Sequence, residues 1–301
     1  MRIFLAGATG AIGRPLVVEL RKRGHDVVGL SRSDANDKAL RERGATPARA
    51  SLFDADALAR AMRGCDAVVR AATHIPANGR ARAAWQENDR IRRDGTRALL
   101  DAAQKAGVPH YVQESIVWLA RPDDGATFDE RSPPRPEGIT ASALDAERLA
   151  EGAPVATATL RLGWLYGADT AHTRAFAQML RRRRLPVLGD GSAKMSYLHV
   201  DDAARAFADA LERRATGLHH VVDDEPAPVG AFFDEMAQRL GAPRPMRAPR
   251  WVGALAAGNY VARFLTTPMV TTHARFTEAT GWRPLHPTYR EGLRDLEGAS
   301  L

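Results

Sequence analysis

Gly7, Gly10 and Gly13 follow directly on an apolar run (Ile3, Phe4, Leu5, Ala6) and precede a helical pattern over residues 14–23. Glycines so placed can cradle a diphosphate. Gly7 permits a sharp turn at the strand end, Gly10 lacks the Cβ that would hold an anion off the backbone, and Gly13 lets the helix pack close to the strand. Thr9, Ala11 and Ile12 complete the turn. The start of the helix offers free N–H groups and the positive end of its dipole. The spacing is G-x-x-G-x-x-G, and its position between strand and helix gives it more weight than the glycines alone. The alternative is an ordinary tight turn from strand to helix.

Three further strand ends are expected to border the same ligand. The second strand, within HDVVGLSRS, ends at Leu30 and leads into Ser31, Arg32 and Ser33. A site for NAD usually has an acidic residue here to bind the ribose hydroxyls. A guanidinium flanked by hydroxyls suits instead the extra phosphate of NADP(H), which an acidic side chain would repel. Ser51 and Leu52, with Asp54, end the third strand and are expected beside the adenine. Ala71, Ala72 and Thr73 end the fourth and are expected on the nicotinamide side. His74, in the loop that follows, is a candidate substrate contact, although a loop histidine more often has no such role.

For these tips to converge, strand and helix must alternate. Strands are predicted at 2–6, 25–30, 45–51, 66–71, 109–114 and 155–161, and helices at 11–23, 34–43, 55–63, 80–106 and 139–151. The pattern predicts an α/β fold: a Rossmann doubly wound parallel sheet, with the ligand at the C-terminal strand ends beside the switch in strand order. Residues 119–138 are dense in Pro, Gly and charge and read as a long loop. Beyond 162 the alternation loosens, with short strands near 196–199 and 218–222 among helices at 171–184, 200–213 and 229–240. We therefore expect a dinucleotide-binding domain over 1–161. A smaller α/β substrate-binding region, not an independent domain, is expected over 162–301. Residues 250–265 read as one apolar helix that either faces the core or closes a pocket as a lid.

The 301 residues are 45% hydrophobic and 26% charged, as in a soluble globular chain. No apolar run approaches the roughly 18 residues of a membrane span, and no secretory signal is expected. The single cysteine, Cys65, excludes an intramolecular disulfide and a cysteine metal site. The cytoplasm is the expected location. The net charge of +7 is carried almost wholly by arginine, and its densest run, at 181–184, follows an apolar helical pattern. It reads as a solvated helix end, where Arg complements the negative dipole pole, and no nucleic-acid or membrane partner is expected.

Four motifs occur in an order that resembles the extended and atypical short-chain dehydrogenases/reductases, the group of NAD-dependent epimerase/dehydratase-like proteins. GATGAIG (7–13) resembles their nucleotide loop, and DGTRALLDAAQKAGVPHYVQES (94–115) the helix and strand that lead to the active-site serine. LRLGWLYG (160–167) resembles the segment after strand six, and LGDGSAKMSYLHVDDAARA (188–206) the segment that packs the C-terminal region onto the sheet. The resemblance implies a nicotinamide cofactor beside Leu162 and Gly163, a small-molecule substrate, and Ser115 in the place of the catalytic serine.

The chain departs from that group in two places. Its members typically use a Tyr, a Lys four residues later, and a Ser, the Lys tuning the Tyr for proton transfer. No tyrosine of this chain has a lysine four residues on; within ITASALDAERL, Ile139 stands at the Tyr place and Ala143 at the Lys place. Hydride transfer survives this loss, because the cofactor carries that chemistry. Ser115, His74, water or a hydroxyl on the substrate itself could then supply the proton. Second, nucleotide-sugar enzymes of the group tend to carry an Arg where Met195 stands, and Met offers apolar contact. Together with Trp118, Trp164, Trp251 and Phe264, this points to a flat apolar substrate, although for any one of these aromatics core packing is the commoner role. The resemblance thus implies an NADPH-dependent ketoreductase acting on a bulky, aromatic polyketide-type ketone. Alternatives are a non-catalytic NADP-binding sensor and an epimerase or dehydratase. His199 is expected to be structural, with no second metal ligand at a suitable spacing, and no metal is expected.

Overall fold

The computed structural model describes residues 1–76 and 82–297. Its first half alternates as the apolar pattern requires: β1 (Arg2–Ala6), α1 (Gly13–Lys22), β2 (Asp26–Ser31), α2 (Asp34–Glu42), β3 (Thr46–Arg49), α3 (Ala55–Ala61) and β4 (Ala67–Arg70). There follow α4 (Gln86–Arg90), α5 (Thr96–Ala106), β5 (His110–Ile116), α6 (Ala141–Glu151) and β6 (Ala156–Leu162). Local signals set the helix starts. Ser33 caps α2 by accepting from the Asn36 amide, and Asp54 caps α3 by accepting from Asp56 and Ala57. Gly107, at φ +70°, ends α5 in the left-handed conformation.

The remaining elements are β7 (Trp164–Tyr166), α7 (Ala171–Arg181), β8 (Val187–Leu188), β9 (Lys194–Met195), β10 (Tyr197–His199), α8 (Val200–Glu212) and β11 (Gly217–Val221). They continue with β12 (Ala227–Pro228), α9 (Val229–Arg239), β13 (Arg247–Ala248), α10 (Arg250–Ala257), α11 (Asn259–Thr266), α12 (Ala274–Thr280) and α13 (Tyr289–Gly292). The main sheet has seven strands in the order β3-β2-β1-β4-β5-β6-β11, every pair parallel. The order reverses between β1 and β4, where a doubly wound sheet opens its ligand crevice.

Both faces of the sheet are buried, as a parallel sheet requires. On one face Leu16, Val17 and Leu20 of α1 share a core with Phe207 and Leu211 of α8 and Phe276 of α12. On the other, Leu58, Leu99, Ala103 and Ala150 from α3, α5 and α6 pack with Phe4, Val68 and Tyr111. A third core, rich in aromatics and methionine, gathers Tyr166, Met195, Tyr197, Phe232, Phe233 and Met269 from the chain beyond 162. Because β11 adds to the main sheet beside β6, that region is hydrogen-bonded to the first half.

Two predicted helices prove to be interrupted. The helix expected over 80–106, whose first two residues lie outside the described residues, consists of a 3-10 turn, Arg82–Trp85, followed by α4 and α5, which are joined by a π-helical turn, Ile91–Gly95. At that turn Arg92 reaches the buried Glu114 carboxylate at 3.4 Å, and Gly95 admits Leu52, whose methyl would lie 2.8 Å from a Cβ. The apolar stretch 250–265 is two helices, α10 and α11, broken at Gly258 with φ +93°.

Candidate active site

The three glycines act differently at the switch point. A Cβ on Gly7, which sits at φ +93°, would lie 2.5 Å from the carbonyl carbon of Ala71 and 2.6 Å from the Ala72 amide nitrogen. The β1 and β4 tips can therefore touch only where residue 7 has no side chain. A Cβ on Gly13 would lie 2.0 Å from the Gly7 carbonyl oxygen, so α1 starts hard against the strand end. A Cβ on Gly10 would meet that same oxygen at 3.1 Å and nothing else within 4 Å. Gly10 thus presents a bare face outward. The amides of Ala11 and Ile12 make no backbone hydrogen bond among the described residues. Arg14 steadies the turn by donating to the Thr9 carbonyl at 3.2 Å and to the Asp169 carbonyl at 2.5 Å. An open loop with free amides at a helix start fits a dinucleotide diphosphate.

At the β2 tip the three expected residues separate. Ser31 is buried, and its hydroxyl donates to the Ser33 carbonyl at 3.2 Å. The Ser33 hydroxyl accepts the α2 cap bond. Arg32 is exposed and has no acidic partner among the described residues, whereas nearby Arg49 is tied to Asp37 and Asp34. Among the described residues the unpaired cation at this tip is Arg32, while the Ser31 hydroxyl is buried and already engaged. Ser51 is exposed and accepts from the Phe53 amide. Leu52 is a core residue against Gly95, and Asp54 is occupied as a helix cap. Ala71 and Ala72 lie against Gly7, Thr73 is exposed beyond them, and His74 is exposed with its amide donating to the Asn88 side chain at 2.9 Å.

Ser115 ends β5 in full burial. Its hydroxyl donates to Glu147 Oε1 of α6 at 2.5 Å, and Arg161 of β6 grips the same carboxylate through two bonds of 2.8 and 2.7 Å. The serine thus belongs to a buried triad linking β5, α6 and β6. Ile139 precedes α6 half-buried, and Ala143 is packed with Ile116, Leu119 and Leu144. Leu162 is a core residue at the end of β6. Gly163 has a packing reason: its Cβ would lie 2.8 Å from the Ser196 carbonyl and 3.0 Å from that of Tyr197.

Trp118, just past β5, and Trp164, just past β6, are both half-buried and meet through Phe264 of α11, at ring separations of 5.5 and 5.3 Å. Phe264 also lies near the Tyr260 ring, 6.4 Å away. This aromatic wall stands at the C-terminal ends of two neighbouring strands and is covered by α11. Two expected members do not join it. Met195 is fully buried, pairing with Ala227 and bridging to Met269 in the third core, so it presents no surface to a ligand. Trp251 is 64% exposed on α10.

His199 has neighbours that its sequence context did not suggest. Ligand-type atoms of His199, Asp202 and His286 lie within 4.8 Å of one another. Their lone pairs are committed, however. Asp202 accepts from the Leu285 amide at 2.6 Å, the His286 amide at 2.9 Å, His286 Nδ1 at 2.8 Å and Arg205 at 3.3 Å. His199 accepts the Asp201 amide at 3.3 Å and bonds Asp295 at 3.0 Å. The cluster is a polar clip.

Sequence reasoning passed over Glu147, Arg161, Arg92, Arg121 and Tyr260. Arg161 carried a usable signal, because a charged residue inside a buried strand must find a partner. Arg121 and Tyr260 lie far apart in the chain, and no spacing rule joins them.

Comparison with known proteins gives consistent results. A reductase of a Streptomyces species named 3-diazoavenalumate denitrifying reductase is 36% identical over 97% of this chain and 99% of its own length. The 4-hydroxy-2-methyl-3-oxo-4-farnesyl-3,4-dihydroquinoline-1-oxide ketoreductase of Stigmatella aurantiaca is 29% identical over 80% of this chain and 74% of its own. A human epimerase family protein solved with NADPH superposes with a TM-score of 0.84, at 24% identity over the whole of both chains, and shares the fold. Residues 3–222 match the NAD dependent epimerase/dehydratase family. The chain belongs to that family, within the extended short-chain dehydrogenase/reductase superfamily, and is a nicotinamide-dinucleotide-dependent oxidoreductase.

Proposed function

We propose that this chain is an NADPH-dependent reductase that delivers hydride to a bulky aromatic substrate, in the first instance a ketone on a polyketide-type natural product. The observation that carries the reading is the aromatic wall of Trp118, Phe264 and Trp164 at the β5 and β6 ends, beside positions 139 and 143 that hold no proton donor. Residues 7–13 hold the diphosphate, Arg32 takes the adenosine phosphate, and the tips at 51–52, 71–73 and 162–163 frame the remainder. The region after 162 supplies the substrate pocket, with α11 as its lid.

The cofactor, when bound, supplies the hydride; the protein contributes placement and exclusion of water. A reduced ketone also needs one proton. Ser115 has its own proton engaged with Glu147, so a hydroxyl beside the ketone, already bonded to it within the substrate, is the readier source. A second reading is favoured by the 36% identical relative, whose name describes reduction of a diazo compound. Hydride addition to an aryl diazonium carbon with departure of dinitrogen balances without any proton donor, which would explain why Ile139 and Ala143 are tolerated.

Arg32→Ala tests the cofactor assignment. Loss of one charge-assisted contact is expected to lower kcat/KM for NADPH by about tenfold to a hundredfold and leave NADH use unchanged. Equal loss with both cofactors would reject Arg32 as the selector. Failure of the wild type to consume NADPH with aromatic ketones or aryl diazonium salts would reject the proposed substrate class and NADPH use.

A further inference from the structure

The charge buried around the aromatic wall does not balance. The Arg121 side chain is 4% exposed, yet among the described residues it donates only a long bond of 3.3 Å to the Phe264 carbonyl, and Glu137 lies 3.9 Å away. Glu137 is itself a third exposed and also faces Arg263 at 3.5 Å. On the other side Arg92 is buried with its Nε unpartnered, and it shares Glu114 with the buried Arg70, at 3.4 and 3.6 Å. Among the described residues these three buried guanidiniums have two carboxylates within 4 Å, Glu114 and Glu137, the latter shared outward. An uncompensated buried cation is costly, and a guanidinium does not shed its charge near neutral pH. Burial, with the Arg263 charge nearby, pulls the Arg121 pKa below its ordinary value against the opposing pull of Glu137 and Asp123.

What surrounds Arg121 is suited to a ligand. Its guanidinium lies 5.5 Å from the centre of the Phe264 ring, which in turn meets Trp118 and Trp164. The Tyr260 hydroxyl faces Trp118 and lies within the fields of Arg121 and Arg92. Burial, with Glu137 nearby, pushes its pKa up to about 12, so at neutral pH it remains a hydrogen-bond donor. Phe264 and Tyr260 both belong to α11, which is joined to α10 through the glycine break at 258, so the helix that covers Arg121 is the one that would lift to admit a substrate.

We propose that Arg121, assisted by Tyr260, seats a carboxylate carried by the aromatic substrate, the ring lying along Trp118 and Phe264. The inference rests on the reductase reading for what the ligand is, but its test requires no turnover. Quenching of tryptophan fluorescence in the full chain with NADP+ present would compare 2-naphthoate with its neutral counterpart 2-naphthamide. The acid should bind about tenfold more tightly, the size of one charge-assisted pair. Arg121→Gln should bring the acid down to the level of the amide and leave the amide unchanged. Glu137→Gln, at a site a third exposed, should tighten the acid about threefold by removing a competing anion. Equal affinity of the two probes, no saturable binding of naphthoate, or selectivity that survives Arg121→Gln would overturn the proposal. If Arg121→Gln does not fold, unchanged or weaker naphthoate binding by Glu137→Gln overturns it. A protein that prefers naphthoate but consumes no NADPH keeps this subsite and loses the reductase reading. One that reduces ketones without preferring the acid does the reverse.

Discussion

At the scale of single residues, Ser115 shows how a familiar position can be put to another use. Its place at the end of β5 was legible from the sequence, and the serine there invites a role in proton transfer. The structure gives the hydroxyl one partner, Glu147, and gives that carboxylate a bidentate guanidinium from Arg161. A hydroxyl donating to an anion is a poor acid toward anything else, since its proton would have to leave a favourable bond. Ser115→Ala is therefore expected to slow turnover by less than about tenfold, where loss of a true general acid costs about a hundredfold or more. It should also lower stability by about 1–2 kcal/mol, the worth of one bond to a charged group when Arg161 still holds the carboxylate. Steady-state rates beside urea unfolding separate the two roles. A hundredfold slower enzyme of unchanged stability would return the acid role to Ser115.

Among the elements, the turn between β1 and α1 carries the most consequence per residue. Gly7 is constrained twice, by φ +93° and by the Ala71–Ala72 backbone at 2.5–2.6 Å, whereas Gly24 has φ +79° and nothing within 4 Å of its missing Cβ. Alanine at Gly24 should cost about 1–2 kcal/mol, the strain of a left-handed residue alone. Alanine at Gly7 adds a collision with backbone, so the β1 and β4 tips must part at the switch point. We expect Gly7→Ala to lose NADPH binding in calorimetry and to unfold at markedly lower denaturant than Gly24→Ala; equal behaviour of the two would mean that the tips need not touch. The contrast also shows what the sequence could convey. Strands β1, β2 and β4 and helices α1 and α5 were readable because each buries an apolar run or stripe, and the glycines because their conformations are local. The break at 91–95 was not readable, since it occurs where Arg92 meets Glu114 of a distant strand. Nor was the placement of Met195, an apolar residue that suits a pocket and a core equally and is assigned to the core by its pairing with Ala227. Arg121 and Tyr260 come together only after α11 folds over the β5 end.

At the scale of the whole molecule, α8 helps tie the C-terminal chain to the main sheet. One face of the helix shares a core with α1 on the main sheet, and its first turn holds the chain near 285–295. The fastening is Asp202 to His286, beside His199 to Asp295, with the two imidazoles 4.1 Å apart. The hydrogen bond from His286 to Asp202 raises the His286 pKa above its ordinary 6.5. Burial works to raise the Asp202 pKa, but the His286 side chain and the amides of 285 and 286 outweigh it and bring it below 3.8. The signs then fix a window. A raised histidine contributes fully below about 6.5 and loses its contribution as pH rises through the higher folded-state value, and a depressed aspartate loses its own as pH falls through the lower one. The clip is therefore strongest from about pH 4 to 6.5 and weakens in the alkaline direction. His286→Asn isolates this effect, because Asn can keep a neutral donor near the position of Nδ1 but cannot take the charge. The Tm of the wild type should exceed that of the variant most between about pH 4 and 6.5, and the gap should narrow as pH rises above that window and the native histidine loses its proton. Asp201 and Asp295 also face this pair and would favour the charged ring, which moves the narrowing further into the alkaline range without reversing it. A gap that stays constant across that range would mean that His286 fastens the C-terminal chain by shape and neutral hydrogen bonding, with no ionic share.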